Sequence, residues 1–380
     1  NSGTIAMPAR LTNCIVYYNI AANYNGPVVF SHSCTTPLPG GTGNLGAVPQ
    51  LLPDGVRLAN ASPCRGAGTN SVSGTDLFGQ PWANPPSIGC AEWQATPIVL
   101  IQPQLRLNSN PIGFTVGPIS VAGQEPFTYQ WIKDGVLLND DDHYLGTDTH
   151  TLTVRGILAS DAGDFRVAVS NAFGDVTSVA VPLVIRFVNP AGNAEPPYLD
   201  WPTAATDIQE AIDAAAAGEI VLVTNGVYAS GGKVMAGDLT NRVALDKPII
   251  VHSVNGPAVT IIQGEWDPVT TNGPAAVRGA WLTNGAILSG FTLTGGATRD
   301  SGDTFTLRSG GGVWSASTGA SVQDCFIVGN SARLAGAGAY QGFLGRCVIS
   351  NNVSGNYGGG AAASAILNSY IAHNRAESGG

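Results

Sequence analysis

Chemistry on this chain would have to start from TRDSGDTFTLR (298–308), where Arg299 and Arg308 bracket Asp300 and Asp303. Two carboxyl groups can share general acid and general base work at a glycosidic bond. Carboxylates can also hold Ca²⁺ beside an arginine that takes a proton. GEWDP adds Glu265 and Asp267. NDDDH (139–143) sets three aspartates before a histidine, but it lacks the alternating ligand spacing of a calcium loop. His32, His143, His150, His252 and His373 share no spacing that asks for a metal or a catalytic triad. No motif asks for a cofactor. Arg299, Asp300, Asp303 and Arg308 therefore read as a ligand-binding loop, and no catalytic or metal residue is assigned.

The elements that would carry these residues follow from composition. Charged residues make up only 11% and glycine numbers 50 of 380, which is too apolar for disorder and too turn-rich for a helical protein. A net charge of −9 argues against nucleic acid, and no apolar run is long enough to span a bilayer as a helix. Six cysteines, two methionines and few lysines suit an extracellular, all-β protein. The sequence opens without Met or a leader, as a processed chain or a segment would.

A repeat of 22 residues organises the end of the chain. DCFIVGN (324–330), RCVISNN (346–352) and NSYIAHN (368–374) align without gaps, and glycine-rich turns (SGGGVW, AGAGAY, YGGGAA) precede them. A turn, a short alternating strand and an Asn bend in each period describe one coil of a solenoid, with like residues stacked about 4.8 Å apart. GFTLTGG (290–296) fits the same frame, with Phe291 and Leu293 at the Cys325 and Ile327 positions. Asn330, Asn352 and Asn374 form a ladder, and NCIVYYN (13–19) continues it with Asn19. Carboxylates useful for catalysis would recur at matching offsets; Asp324, Arg346 and Asn368 stand there instead.

These coils resemble the right-handed parallel β-helix, or pectin-lyase-like, family. TAATDIQEAIDAAAAG supplies the helix that plugs the first coil in that family, with Thr206 and Gln209 spaced as a capping box, a helix near 206–217 and Gly218 at its end. Strands at 220–223, 249–251 and 260–262 then begin the stack. Residues 1–98 resemble the last coils and closing segment of bacterial β-helix domains. The chain thus carries the end of a β-helix first (1–98) and its beginning last (204–380), as a circularly cut unit of a tandem array would. Joining Gly380 to Asn1 spaces Asn374 and Asn19 by one coil plus a three-residue loop.

Residues 103–187 resemble an immunoglobulin-like sandwich of the I-set type. YQWIKDG provides the core Trp131, and DAGDFRVAVSNAFG places Phe165 at the usual tyrosine and Val167 at the usual cysteine, so packing alone holds this domain. A Pro-rich, stiff linker is expected over 188–203. Strand alternation turns Cys325, Ile327, Cys347 and Ile349 inward, either as reduced thiols or as a bonded pair. Cys64 and Cys90 are expected to form a disulfide. The same alternation turns Ile15, Tyr17, Phe326, Val328, Val348 and Tyr370 outward as an apolar lateral contact stripe.

The expected function is structural: a non-enzymatic, extracellular or cell-surface bacterial fibre or adhesin, whose partners are copies of itself joined head to tail. The alternative is a β-helix protein that binds or degrades polysaccharide, which the fold resemblance and the 298–308 insertion favour. No nucleic-acid partner, membrane-spanning segment or cofactor is expected.

Overall fold

The computed structural model describes residues 9–20, 22–109 and 112–378. The expected junction of Gly380 with Asn1 lies outside them. The described chain is nearly all β, with one α-helix.

Residues 98–183 form two main antiparallel sheets packed face to face, with a two-stranded one, Ile98–Ile101 against Ser120–Ala122, beside them. One runs Val136–Leu137, Thr128–Lys133, Gly163–Asn171, Gly174–Thr177, with Val181–Leu183 also on Gly163–Asn171; the other runs Tyr144–Leu145, Leu152–Arg155, Ile112–Val116, Leu105–Ser109. Trp131 is fully buried directly across from Val167, and its indole N–H donates to the Thr149 carbonyl at 2.9 Å. Phe165 meets Phe114 edge to face at 5.7 Å, so ring packing replaces the missing tyrosine hydroxyl.

From residue 185 onward the chain visits three main parallel sheets in turn, with a two-stranded parallel pair, Ser331–Ala332 and Val353–Ser354, after the second. Sheet A has seven strands, from Ile185–Val188 and Ile220–Val223 to Phe343–Gly345 and Ala365–Leu367; sheet B has six, from Gly226–Tyr228 to Tyr370–Ala372. Sheet C also has six, from Lys233–Ala236 to Ala361–Ala362. All neighbours are parallel except the opening hairpin of sheet C. The 22-residue repeat is the register of sheet B: Phe326 pairs with Val348 and Val348 with Tyr370. Inward residues Leu293, Cys325, Ile327, Leu344, Cys347 and Ile349 form one continuous core. Glycine is required where coils touch closely, since a β-carbon on Gly312 or Gly338 would run into the carbonyl of the next coil.

The helix, α1, spans Ile208–Ala214 and lays Ile208, Ala211 and Ile212 over the top of this core. Its N-cap is Asp207, one residue after the expected Thr206; Asp207 accepts from the Gln209 N–H at 2.7 Å. The Gln209 side chain serves Ala244 instead of closing a capping box. Ala215 is extended, and Lys247 Nζ caps the Ile212 and Ala215 carbonyls, which ends α1 before 217.

The expected linker at 188–203 is also corrected. Val181–Leu183 ends the sandwich, and after one residue Ile185–Val188 pairs in parallel with Ile220–Val223 as the first rung of sheet A. The Pro-rich stretch folds back on that rung, with Phe187 N–H donating to Tyr198 and Asn189 N–H to Ala205, while the Trp201 ring packs on Phe187 at 4.5 Å. Outward Ile220, Leu222, Ile250 and Ile287 of sheet A join the sandwich core in a single apolar cluster. Apolar anchors, not proline stiffness, decide the path of this segment.

Candidate functional site

Sheet C carries an aromatic ladder on its outer face. Trp281 pairs with Trp314, Trp314 with Tyr340 and Tyr340 with Ala362. The insertion 298–308 lies over this ladder: Phe305 sits 6.3 Å from Tyr340 and its carbonyl accepts the Trp314 indole N–H at 2.9 Å. All three aromatic side chains are buried in consequence. A signal for them exists in the sequence, Gly-x-aromatic at 279–281, 312–314 and 338–340.

Two arginines lock the insertion down. Arg299, expected to contact a ligand, is buried, with Nη1 donating to the Gly273 and Ala276 carbonyls and Nε to Asp238 at 3.0 Å. Arg278, which the sequence reading missed, is wholly buried. Its guanidinium donates to the carbonyls of Thr306, Ser309 and Gly310 and to Asn241 Oδ1. Burial, then the nearby Arg299 charge, lowers its pKa, and these four oxygens keep the cation in place. Asp303 accepts from the N–H groups of Phe305 and Thr306 within its own turn, which lowers its pKa. Asp300 is exposed and accepts from Ser301; Arg308 is half-buried. Arg299 and Asp303 are thus fasteners of a cover, not free ligand contacts.

The remaining candidates are equally committed to local structure. Asp267 closes its own loop, and its carboxylate pKa is held down to about 2 by N–H donors from Ala275, Val269 and Thr270. Exposed Glu265 lies 4.0 Å from Arg242. In NDDDH, Asp140 accepts from Gly146 and Thr147, Asp141 from His143 and Tyr144, and His143 bridges the Arg155 carbonyl and Asp161. Among the described residues no group of three or more His, Cys, Asp or Glu side chains is placed to hold a metal ion.

The cysteine and stripe expectations need correction. Among the described residues all six thiols are free. Cys64 is buried in a small core with Cys34, Leu58 and Ile88, while Cys90 is exposed. The Cys64–Cys90 disulfide fails because the two side chains face opposite environments. Cys325 and Cys347 stack inward as reduced thiols, and burial pushes the Cys347 pKa up to about 11. Phe326, Val348 and Tyr370 do form an outward row, with Val328 half-buried beside them. Ile15 and Tyr17 are not part of it in this chain; they pack on the Cys34–Cys64 core.

Both ends of the coil pattern are paired on one side only among the described residues. Ala365–Leu367 and Tyr370–Ala372 pair with the preceding coil, and Ala9–Thr12 and Ile15–Val16 pair in parallel with Val28–Ser31 and Cys34–Thr35. Ile366 and Ile371, stacked under fully buried Leu344 and Ile349, are 38% and 47% exposed. The Asn ladder runs through Asn330, Asn352 and Asn374, each Oδ1 accepting from the backbone N–H of the rung before. Asn19 stands outside that ladder, exposed, with its N–H donating to Asn23.

Comparison with known proteins assigns one of these parts. Residues 118–182 form an immunoglobulin I-set domain. Solved structures similar to the chain include titin M4 (20% identity over 22% of this chain and 91% of that one, TM-score 0.19). The N-terminal four Ig domains of Dscam1 isoform 7.44 match at 18% identity over 25% of this chain and 29% of theirs, TM-score 0.20. A twitchin kinase fragment from C. elegans matches at 22% over 23% and 21%, TM-score 0.18. The I-set domain found by comparison lies within the sandwich built around Trp131.

Proposed function

We propose that this chain is a structural and adhesive unit of an extracellular, bacterial surface fibre, in which a right-handed parallel β-helix is completed by a neighbouring copy and the I-set domain acts as a docked spacer. The observation that carries this reading is the recurrence of the late-coil backbone at residues 13–18, where Asn13 and Tyr18 repeat the left-handed pair of Arg346 and Asn351. A contact between two different surfaces propagates rather than closes. The single residue between Val181–Leu183 of the sandwich and Ile185–Val188, the first rung of sheet A, supports a rigid spacer. Sedimentation of the chain over a concentration series tests the reading: end-to-end oligomers are expected, and a monomer at every concentration together with unpaired edges in a two-copy fusion overturns it.

A glycan-binding reading has one observation in its favour. A groove of about 720 Å³ beside sheet B is lined by Trp266, Asn272, Arg333, Asn351 and Arg375, and Trp266 is 49% exposed. An exposed indole beside amide and guanidinium donors is suited to a sugar ring. We place catalysis outside the function: incubation with pectins, alginate and other uronates should release no unsaturated or reducing ends. Turnover abolished by Glu265→Gln, Asp300→Asn or Asp303→Asn would reverse that ranking.

A further inference from the structure

The backbone specifies which residues meet when one copy completes the next. Each late coil carries two left-handed residues five apart, one at the corner between sheets A and B and one just after the sheet B strand: Asp324 and Gly329 (φ 53° and 65°), Arg346 and Asn351 (52° and 56°), Asn368 and His373 (50° and 57°). Asn13 and Tyr18 repeat the pair at 54° and 62°. Positive φ is uncommon for residues other than glycine, and especially so for a tyrosine, so the recurrence identifies residues 13–18 as the same corner.

The hydrogen bonds around the corner agree. Ser369 Oγ accepts the Cys347 N–H at 3.0 Å and donates to Leu367; Ser33 Oγ accepts the Cys14 N–H at 3.2 Å and donates to Ser31. The Cys347 carbonyl accepts the Tyr370 N–H at 2.8 Å, and the Cys14 carbonyl accepts the Cys34 N–H at 2.8 Å. Arg346 N–H donates to Leu367, as Asn13 N–H donates to Ser31. Cys14 therefore occupies the corner position of Cys347, one coil ahead of a serine.

Resting on the proposed completion by a second copy, we infer that its contact has one register, with Ser369 of one copy directly over Cys14 of the next. Ile366 then covers Leu11, Tyr370 covers Ile15, and Ile371 covers Val16. The Ser369 carbonyl accepts the Ile15 N–H, and the Asn19 carboxamide oxygen accepts the Asn374 N–H, which extends the ladder by a rung. The apolar stripe becomes continuous as Phe326, Val348, Tyr370 and the neighbour's Ile15. The occupant is a second copy because residues 9–19 already have the corner backbone, the corner hydrogen bonds and the inward–outward alternation of the late coils.

Thiol trapping tests the register. In a fusion of two full copies, Gly380 joined to Asn1, the first copy carries Cys347→Ala with Ser369→Cys, so that the new thiol has no partner in its own stack. Coils about 4.8 Å apart place the paired α-carbons within the disulfide range of about 4.4–6.8 Å. With a low-molecular-weight disulfide as oxidant, the two thiols lose their protons and form one S–S bond, and the oxidant leaves as two thiols. Peptide mapping should join the 369 segment of the first copy to the Cys14 segment of the second, with little linkage when Ile371→Cys or Leu367→Cys replaces Ser369→Cys. Preferred linkage from either of those positions overturns the register. Hydrogen exchange reads the underlying completion separately: amides of 365–372 should be at least tenfold better protected in the fusion than in the single chain. Equal exchange overturns completion itself, while protection without linkage between 369 and 14 overturns only the register.

Discussion

Trp314 lies flat on Trp281 one coil away, with ring centroids 3.7 Å apart and 18° between the planes. This contact joins the coil stack to its cover, because the Trp314 indole also holds the 298–308 insertion through Phe305. Trp314→Ala should destabilise the stack by about 3–5 kcal/mol, the cost of a large buried aromatic. Urea unfolding measures the loss, and hydrogen exchange should show residues 298–308 opening more than the rest.

Asn352 is fully buried, and its carboxamide serves Asn330 N–H and Nδ2, the Ile327 carbonyl and Asn374 Oδ1. Asn352→Ala removes the acceptor of the buried Asn330 N–H and should cost on the order of 1–3 kcal/mol. Thermal unfolding of the variant should fall accordingly, whereas Asn19→Ala in the single chain should change little.

Asp267 gives the chain an acid-sensitive loop. Its folded pKa, near 2, is below the ordinary carboxylate value, so the unfolded chain binds the proton more readily. The contribution is whole above about pH 4 and is lost as pH falls toward 2. Asp267→Asn should lower the melting temperature at neutral pH and flatten its fall in this acid window.

Trp131→Ala should destabilise the sandwich by about 3–5 kcal/mol. Because the sandwich core continues onto sheet A through Ile185, Ile220 and Leu222, the loss should be felt in the first coils as well. Unfolding followed by near-UV circular dichroism and by exchange of 220–223 amides should report it together; an unchanged sheet A would show that the two parts unfold independently.

Periodicity was the strongest legible signal. A two-residue alternation within strands and a 22-residue recurrence between them are sufficient to place Ile327 under Leu293 and over Ile349, and to stack the three asparagines, because a parallel ladder has only one register that keeps every apolar residue inside. The core of the sandwich around Trp131, Phe165 and Val167 was legible through the resemblance of YQWIKDG and DAGDFRVAVSNAFG to I-set domains. Asn19 and Ile15 carry the repeat in their spacing, yet in a single chain they sit apart from it.

Other features depend on segments distant along the chain. Whether Arg299 faces a ligand or a buried carbonyl is decided by Gly273, Ala276 and Asp238, which only folding brings beside it. Cys64 meets Cys34 rather than Cys90 because the loops of residues 34–93 close around a small apolar core, and no spacing encodes that choice. Proline-rich 188–203 becomes a fold-back instead of a spacer once Tyr198 and Trp201 find Phe187. Local pattern determines which face a residue presents; the tertiary structure decides what meets that face, because burial and hydrogen-bond satisfaction are settled by partners that the neighbouring sequence does not contain.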